Sequence, residues 1–376
     1  MTTLTETQVH LIASPKSWIE GEAIRQLFAT ARLENMTLAI GFPDLHPGKG
    51  SPVGAAFVSE GTLYPFIVGG DIGCGMGLWK TDLLKRKAKL DRWFELRFDL
   101  EHPWEGDVQE RLLSSGLDST RFNSALGTIG GGNHFAELQA IEKVYDTGAF
   151  ESLELEKDNL CLLVHSGSRG LGESVLREYV EEHGASGVSA ESAAAQAYLA
   201  GHDHAVHWAE ENRALIAKRF LECLGGDGQR VQDGCHNSIT SLETENGPVW
   251  LHRKGAAPAD RGPLVIPGSR GTLSYLVQPQ GDIAASAWSL AHGAGRKWAR
   301  SAARARARER FDVDELVQTP LGGRVVCESR DLLYEEAPAA YKNIEAVIHD
   351  LVDDGLVSVI ATFRPLLTYK TRKVER

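Results

Sequence analysis

A chain of 376 residues, 42% hydrophobic and 24% charged, can bury a large core, and its formal net charge of -11 argues against a protein that coats nucleic acid through phosphate neutralisation. No apolar run approaches the roughly 20 residues that cross a bilayer, and the start, "MTTLTETQVHLIASPKSW", lacks a signal peptide's basic flank and apolar centre, so a cytoplasmic protein without membrane contact is expected. Five scattered cysteines (Cys74, Cys161, Cys223, Cys235 and Cys327) form no CxxC pair, which argues against a disulfide framework or a zinc knuckle; any metal must be held by a mixed shell gathered from distant segments.

In chain order, helical periodicity first appears in "SWIEGEAIRQLFATARL". Strands follow in "MTLAIGF" and "AAFVSEGTLYPFIVGG", and later in "NLCLLVHSG". A helix is expected in "ESVLREYVEEHG", then a surface loop in "GASGVSAESAAAQA" leading into a long helix from about Glu191 to Leu224 that stops at Gly225 and Gly226. Further helices are expected from about Gly295 to Arg310 and in "AAYKNIEAVIHDLVDDG", before a last strand, "VSVIATF". Strands and helices mix without strict alternation, so the fold class is α+β, or mixed α/β, in one domain over residues 1–376. No internal repeat or linker interrupts it.

The 39 glycines cluster around polar residues near strand ends: "PDLHPGKGSPVGAAF", "VGGDIGCGM", "GTIGGGNHFAEL", "HSGSRGLGES", "VIPGSRGTLSYL" and "AHGAGR". Glycine lets a ligand approach the main chain closely, so converging loops of this kind would shape a narrow polar cavity.

Five side chains in these and neighbouring loops are candidate metal ligands: Asp71, Cys74, His134, His165 and His236. A carboxylate, a thiolate and three imidazoles suit a first-row transition metal, and five ligands exceed what one tetrahedral ion needs. A bridging Cys74 thiolate would let the set hold two ions; zinc, iron and manganese all remain open. The ordinary alternatives are hydrogen-bonded core histidines and a small buried cysteine. Of the other histidines, His202, His204 and His207 in "GHDHAVHW" fit a solvated helix surface, and His102, His183, His252 and His349 receive no site role. Cys161 and Cys327 sit in apolar runs and are expected in the core.

"DIGCGM", "GNHFAEL", "HSGSRG", "WLHRKGAAPA", "PGSRGTLSYL", "SLAHGAGR" and "YEEAPAAYKN", in that order from about Gly41 to Lys370, resemble the motif series of the RtcB family of RNA ligases. The resemblance implies a single α+β catalytic domain with a deep central site. It also implies the joining of an RNA 3′-phosphate or 2′,3′-cyclic phosphate end to a 5′-hydroxyl end with GTP and manganese, in RNA repair or tRNA splicing. Two Mn2+ ions would be held, one by Asp71, Cys74 and His134 and the other by Cys74, His165 and His236. His292 corresponds to the guanylylated nucleophile. Guanosine contacts would fall on Phe135, Glu137, Ser269, Ser274 and Lys370, with Asn133 and Asn237 near the phosphates and the loop His292, Gly293, Ala294, Gly295 and Arg296 binding phosphate; Pro267, Gly268, Arg270, beside the guanine pocket, and His236 complete the GTP-binding set. An archease-like activator is a partner that the resemblance suggests, and a monomer is expected.

The resemblance leaves three readings for particular segments. Asp44 and His46 match a segment that lines the site, or shape a turn between Pro43 and Pro47. The stripe Arg296, Arg300, Arg304 and Arg308 is either an RNA-facing surface or a solvated helix face. The chain departs from the common pattern at Arg270, where many members carry methionine, at Ala299, where serine is usual, and in the tail "TRKVER"; nucleotide preference and RNA specificity are where these differences would act. Two other functions fit the same residues: a binuclear cyclic phosphoesterase that ligates nothing, and a non-catalytic RNA-binding relative.

Overall fold

A computed structural model describes residues 7–15, 17–245 and 247–372. Two large sheets organise them. The larger runs Leu264–Ile266, Ser274–Pro279, Val357–Thr371, Phe135–Val144, Asn159–Ser166, Gly75–Leu84, Gly228–Cys235, with Arg324–Cys327 parallel to the end of Val357–Thr371 and every other pairing antiparallel. The smaller runs Gln8–Leu11, Met36–His46, Val53–Glu60, Gly247–Lys254, Asn237–Thr244, antiparallel apart from its first pair. This is the mixed α+β architecture expected.

Alternation along the strands explains the layers. In Asn159–Ser166, Leu160, Leu162 and Val164 pack with Ile216, Ala217, Phe220 and Leu221 of the helix Ala193–Leu224, whereas Cys161 and Leu163 pack on the opposite face with Met76, Phe150 and Ile360. Both faces are covered, which is why the strand reads as one continuous apolar run. The smaller sheet repeats the pattern: Ile40 and Phe42 face the helix Ile344–Asp353, while Ala39 and Leu45 face the helix Gly21–Ala31.

The two sheets are joined where the site forms. His236 is the only residue between Gly228–Cys235, an edge strand of the larger sheet, and Asn237–Thr244, an edge strand of the smaller. Its N–H donates to the Cys74 carbonyl (2.9 Å), and Asn237 O accepts from Gly73 N (3.0 Å), so the "GGDIGCG" loop is sewn onto this crossing.

Several expected elements differ in detail. Within "TLYPFIVGG" the chain forms a short helix, Pro65–Val68, instead of continuing as strand, because Pro65 cannot donate to a ladder and opens a helical turn readily. The helix expected from Gly295 begins only at Arg300; Arg296 forms a bridge with Tyr341, and Lys297 and Trp298 donate their N–H groups to Ala340 O. The long helix is Ala193–Leu224, capped by the Ser192 hydroxyl and ended by Gly225 in the left-handed conformation. His202 is a correction: it is not solvated but buried, its Nε2 accepting from Ile239 N (2.9 Å), while His204 is half-buried and His207 exposed. Cys161 is core as expected, but Cys327 is only partly buried. No helix among the described residues is long and apolar enough to cross a membrane.

Candidate functional site

Cys74 follows a tight turn in which its N–H donates to Asp71 O (3.2 Å). Its thiol is buried, 3.2 Å from His165 Nε2 and 3.6 Å from His134 Nε2. His134 Nδ1 faces the Ile129 carbonyl (3.1 Å) and His165 Nδ1 faces that of Asn133 (3.3 Å), so in both rings Nδ1–H donates to the carbonyl and Nε2 presents its lone pair to the sulfur. Two groups of three ligand atoms result, each within 4.8 Å of one another: Cys74, His165 and His236, and Asp71, Cys74 and His134. Cys74 belongs to both. A buried set of lone pairs converging on one thiol, with a half-exposed Asp71 carboxylate at its margin, fits divalent cations better than it fits a core without them.

Burial governs the electrostatics here. It pushes His134 down to about 4 and His165 and His236 well below the ordinary histidine range, neighbouring imidazoles adding to the effect for the last two. The imidazoles are therefore neutral at pH 7, the form that binds metal. Burial, reinforced by the Asp71 charge, raises the Cys74 thiol well above its usual value, and a bound cation would reverse that.

The long helix holds this cluster in place through residues the sequence reading did not single out. Arg213 is fully buried; it forks onto Asp233 at 2.7 and 2.5 Å and donates from Nη1 to Gly73 O (2.7 Å) and Ser166 O (2.9 Å). Asn212 accepts from Gly127 N (2.7 Å) and donates to Ser166 Oγ (3.2 Å) and Gly167 O (3.0 Å). Three ligand-bearing loops are thus tied to two adjacent side chains. A signal was available: both polar residues fall on the helix face that also carries Trp208, Ala209, Ile216, Ala217 and Phe220, all buried. The glycines around Cys74 have a packing role too. Gly73 has φ 80°, and a Cβ there would lie 2.7 Å from Ala209 Cβ, so the turn rests directly on the helix.

His292 lies beside the cluster, its ring centroid 4.8 Å from that of His236. Its Nδ1 is 2.6 Å from Asp44 Oδ2, and the same carboxylate accepts from the His292 backbone N–H (3.1 Å). Asp44 is fully buried, and a carboxylate this near Nδ1 favours the tautomer that carries its proton there, with Nε2 as the free lone pair. Of the two readings of "FPDLHPGKG", the segment reaches the site through both residues: Asp44 stands behind the lining, against His292, and His46 lines the cavity itself, its Nδ1 on Asp44 O (2.9 Å) and burial lowering it to about 4. Lys342 donates to Pro43 O (2.9 Å) and Leu45 O (2.7 Å), clamping the main chain on both sides of Asp44. Gly295, at φ 71°, passes so near this strand that a Cβ would sit 2.2 Å from Asp44 O.

Cluster and histidine open into one cavity of about 900 Å³. Asp71, Cys74, Asn133, Phe135, Glu137, His165, His236, Asn237, Pro267, Gly268, Ser269, Arg270, Lys370 and the loop His292–Arg296 all line it, which brings together nearly every residue singled out from sequence. Two stand behind the lining. His134 reaches the cluster from beneath Cys74, and Ser274 accepts from Gly268 N (3.3 Å), supporting the loop without facing the cavity.

The inner arm of the cavity is charged. Glu137, buried, accepts from Gln139 Nε2 (2.6 Å) and from the Thr368 hydroxyl, and burial raises it to about 7. Lys370 donates to Gly132 O (2.8 Å), and burial lowers it to about 8. Burial alone would raise Glu336, but the charges of Lys370 and Arg296 hold it below the usual range; it pairs with Arg296 (2.9 Å) and accepts from the Tyr341 hydroxyl. Arg270, on the cavity wall, spends its guanidinium on main-chain carbonyls, donating to Leu333 O and Glu336 O (both 2.8 Å) at the end of the helix Arg330–Glu335. It ties that helix to the Pro267–Gly268 loop.

The family description "tRNA-splicing ligase RtcB" matches residues 26–121 and 99–371. The chain belongs to the RtcB family of RNA ligases. It is 45% identical over 362 residues to an "RNA-splicing ligase RtcB2" of an Escherichia coli strain, covering 96% of this chain and 95% of the relative. It is 30% identical to a "tRNA-splicing ligase RtcB" of Thermococcus kodakarensis, over 87% of this chain and 86% of the relative, and 28% identical to "RNA-splicing ligase RtcB" of Escherichia coli K12, over 94% and 95%.

The arginine stripe divides within this RtcB fold. Arg300 lines the cavity and pairs with Glu335 (3.0 Å), whereas Arg304 and Arg308 share the Asp331 carboxylate at 2.5 Å each. Arg300, Arg304 and Arg308 stay about half-exposed, as either reading expects, and part of the stripe's charge is compensated within the chain.

Proposed function

We propose that this chain joins an RNA end bearing a 3′-phosphate or 2′,3′-cyclic phosphate to a 5′-hydroxyl end, consuming GTP through a GMP adduct on His292. The observation that carries the reading is the position of His292: its ring abuts His236, its Nδ1 faces the buried Asp44, and it shares one cavity with Glu137, Ser269 and Lys370. We assign the two triads to two Mn2+ ions, Asp71, Cys74 and His134 to one and Cys74, His165 and His236 to the other. Bound there, divalent ions would neutralise phosphate charge and make a water acidic enough to open a cyclic phosphate.

The side chains then have distinct tasks. Glu137 keeps unused lone pairs beside its two internal hydrogen bonds and offers them to guanine N–H groups. Ser269 and Lys370 hold the nucleoside, while Asn133, Asn237, the glycines of "HGAGR" and Arg296 face its phosphates. His292 Nε2 attacks the α-phosphorus, the bond to pyrophosphate breaks, and the positive charge gained by the imidazole is met by Asp44. An oxygen of the RNA 3′-phosphate next displaces the histidine and takes the GMP. Finally the 5′-hydroxyl attacks that activated phosphorus and GMP leaves, the hydroxyl proton passing to solvent. Holding the reactants in line supplies much of the acceleration.

We place the reaction in the cytoplasm, in RNA repair or tRNA splicing, with the chain acting as a monomer and as one catalytic unit; an archease-like activator is the partner to test for turnover. The deciding experiment incubates the protein with labelled GTP and Mn2+, then adds a 3′-phosphate RNA and a 5′-hydroxyl RNA. Label on the His292 peptide and a joined product are expected, both absent in His292→Ala. Opening of the cyclic phosphate without label or joining would favour a binuclear phosphoesterase, and RNA binding without any chemistry a non-catalytic relative.

A further inference from the structure

The cavity is larger than the nucleoside arm. Beyond Asp71 it continues past Gly69 and Gly70 into a second arm lined by Lys49, Phe66, Glu173, Leu176, Val180 and Ala185. Its wall has a structural origin. Phe66 belongs to the short helix Pro65–Val68, which leads directly into the loop of Asp71 and Cys74. Glu173, Leu176 and Val180, at spacings of three and four, form one face of the helix Gly170–His183, which follows the strand carrying His165 and the loop carrying Arg169. The two helices meet at Gly70, where a Cβ would lie 3.3 Å from Glu173 Cα. An aromatic ring and two aliphatic side chains therefore stand beside the metal-ligand cluster, with Val180 38% exposed. Two cations flank them. The Lys49 side chain is exposed and forms no ion pair among the described residues, and Arg169, which reaches Thr128 Oγ1 at 3.4 Å, also lines the cavity.

We propose that this arm is a subsite for an unpaired RNA base next to the reacting end, stacked on Phe66 and enclosed by Leu176 and Val180, with Lys49 and Arg169 beside the adjoining backbone. The proposal rests on the RNA-joining reading above and adds to it the part of the substrate that the nucleoside arm does not hold. Three observations choose this occupant over a peptide or a lipid: the arm is continuous with the candidate catalytic cluster, its wall offers one aromatic ring beside two aliphatic side chains, and two cations, Lys49 and Arg169, line the same cavity. The ends that react here would accordingly be single-stranded, because a paired base cannot turn onto an aromatic wall without leaving its helix.

The test uses short single-stranded RNAs carrying 2-aminopurine at the terminal position, at the 3′-phosphate end in one and at the 5′-hydroxyl end in the other. Wild-type protein should quench one of the two on binding. Phe66→Ala, and Val180→Asp, which touches less of the core, should each relieve the quenching and weaken binding roughly tenfold or more. An abasic residue at that end should weaken the wild type by a similar factor and the variants little further. Fluorescence as bright bound as free at both ends, or equal affinity for the abasic RNA, would overturn the subsite. Because binding is read without catalysis, a wild type that quenches the base but takes up no label from GTP would retire the ligation mechanism and keep the subsite.

Discussion

The candidate metal-ligand cluster and the proposed nucleoside arm share one cavity, yet they solve the problem of burying polar groups in opposite ways. Around Cys74 the imidazoles are neutral, each oriented ring spends one nitrogen on a main-chain carbonyl, and the remaining lone pairs converge on a thiol that feels the charges of Asp71, Arg213 and Arg169. In the nucleoside arm the charges are already compensated: Glu336 faces Arg296 and Lys370, and Glu137 accepts two internal hydrogen bonds. The first region therefore offers its lone pairs to a cation and owes its shape to Arg213; the second carries its own electrostatics.

The largest effect should come from removing that support. Arg213→Ala leaves Asp233 buried without its partner, and breaking such a pair costs about 3–5 kcal/mol. Urea unfolding should show the loss, whereas removal of Lys370 on the other side should leave the metal-ligand cluster intact. Equal destabilisation by both changes would erase the contrast.

Next comes Cys74→Ala. Since both triads use this sulfur, the variant should lose both Mn2+ ions, not one, together with the stabilisation that saturating metal confers, about 2.7 kcal/mol at a hundredfold excess over Kd. Metal counting after gel filtration and thermal melts with and without Mn2+ read this directly, and retention of one ion would show that the thiolate is not shared.

On the nucleoside side, pH is the sharper probe. Glu137 titrates near 7 because it is buried, and guanine N–H donors require its carboxylate form. Binding of a non-hydrolysable GTP analogue should tighten as pH rises from 6 to about 7.5, by up to about tenfold, and Glu137→Gln should lose that rise, keeping only the weakening near pH 8 as Lys370 gives up its proton. A rise in the variant as well would move the titration to another group.

The smallest effect is expected at Arg270. Its guanidinium serves two carbonyls at a helix end, so Arg270→Met should cost on the order of 1 kcal/mol of stability while leaving the preference for GTP over ATP unchanged. Competition binding of the two nucleotides settles it, and a changed ratio would mean that the side chain turns toward the base.

Much of this site was legible before any fold was known, because its chemistry is written in residue types at loop positions. Asp71, Cys74, His165, His236 and His292 all stand in or beside glycine-rich segments that end strands, and the structure gathers them. Arg213, Asn212 and Asp233 escaped notice for the opposite reason. They lie in regular elements, and only the packing of one helix against three loops turns an arginine and an asparagine into the support of a metal-ligand cluster. His202 was misplaced in the same way: its helix has a polar sequence around it, but the face it occupies is covered by the strand that holds Ile239. Arg270 invited a reading as a base contact because its loop is near the nucleoside arm; its direction depends on a helix sixty residues further along the chain.

By itself, then, the sequence determined the donor chemistry, the nucleophile candidate and the alternation of apolar residues that builds two sheets, since side-chain type and local periodicity are properties of short segments. Tertiary structure alone decided that a single residue, His236, should mark the crossing between those sheets, that Asp44 should meet His292 across 248 positions of chain, and that charge should be balanced in one arm and left open in the other. Distances of that kind come from closing long loops against a packed core, and no local pattern encodes them.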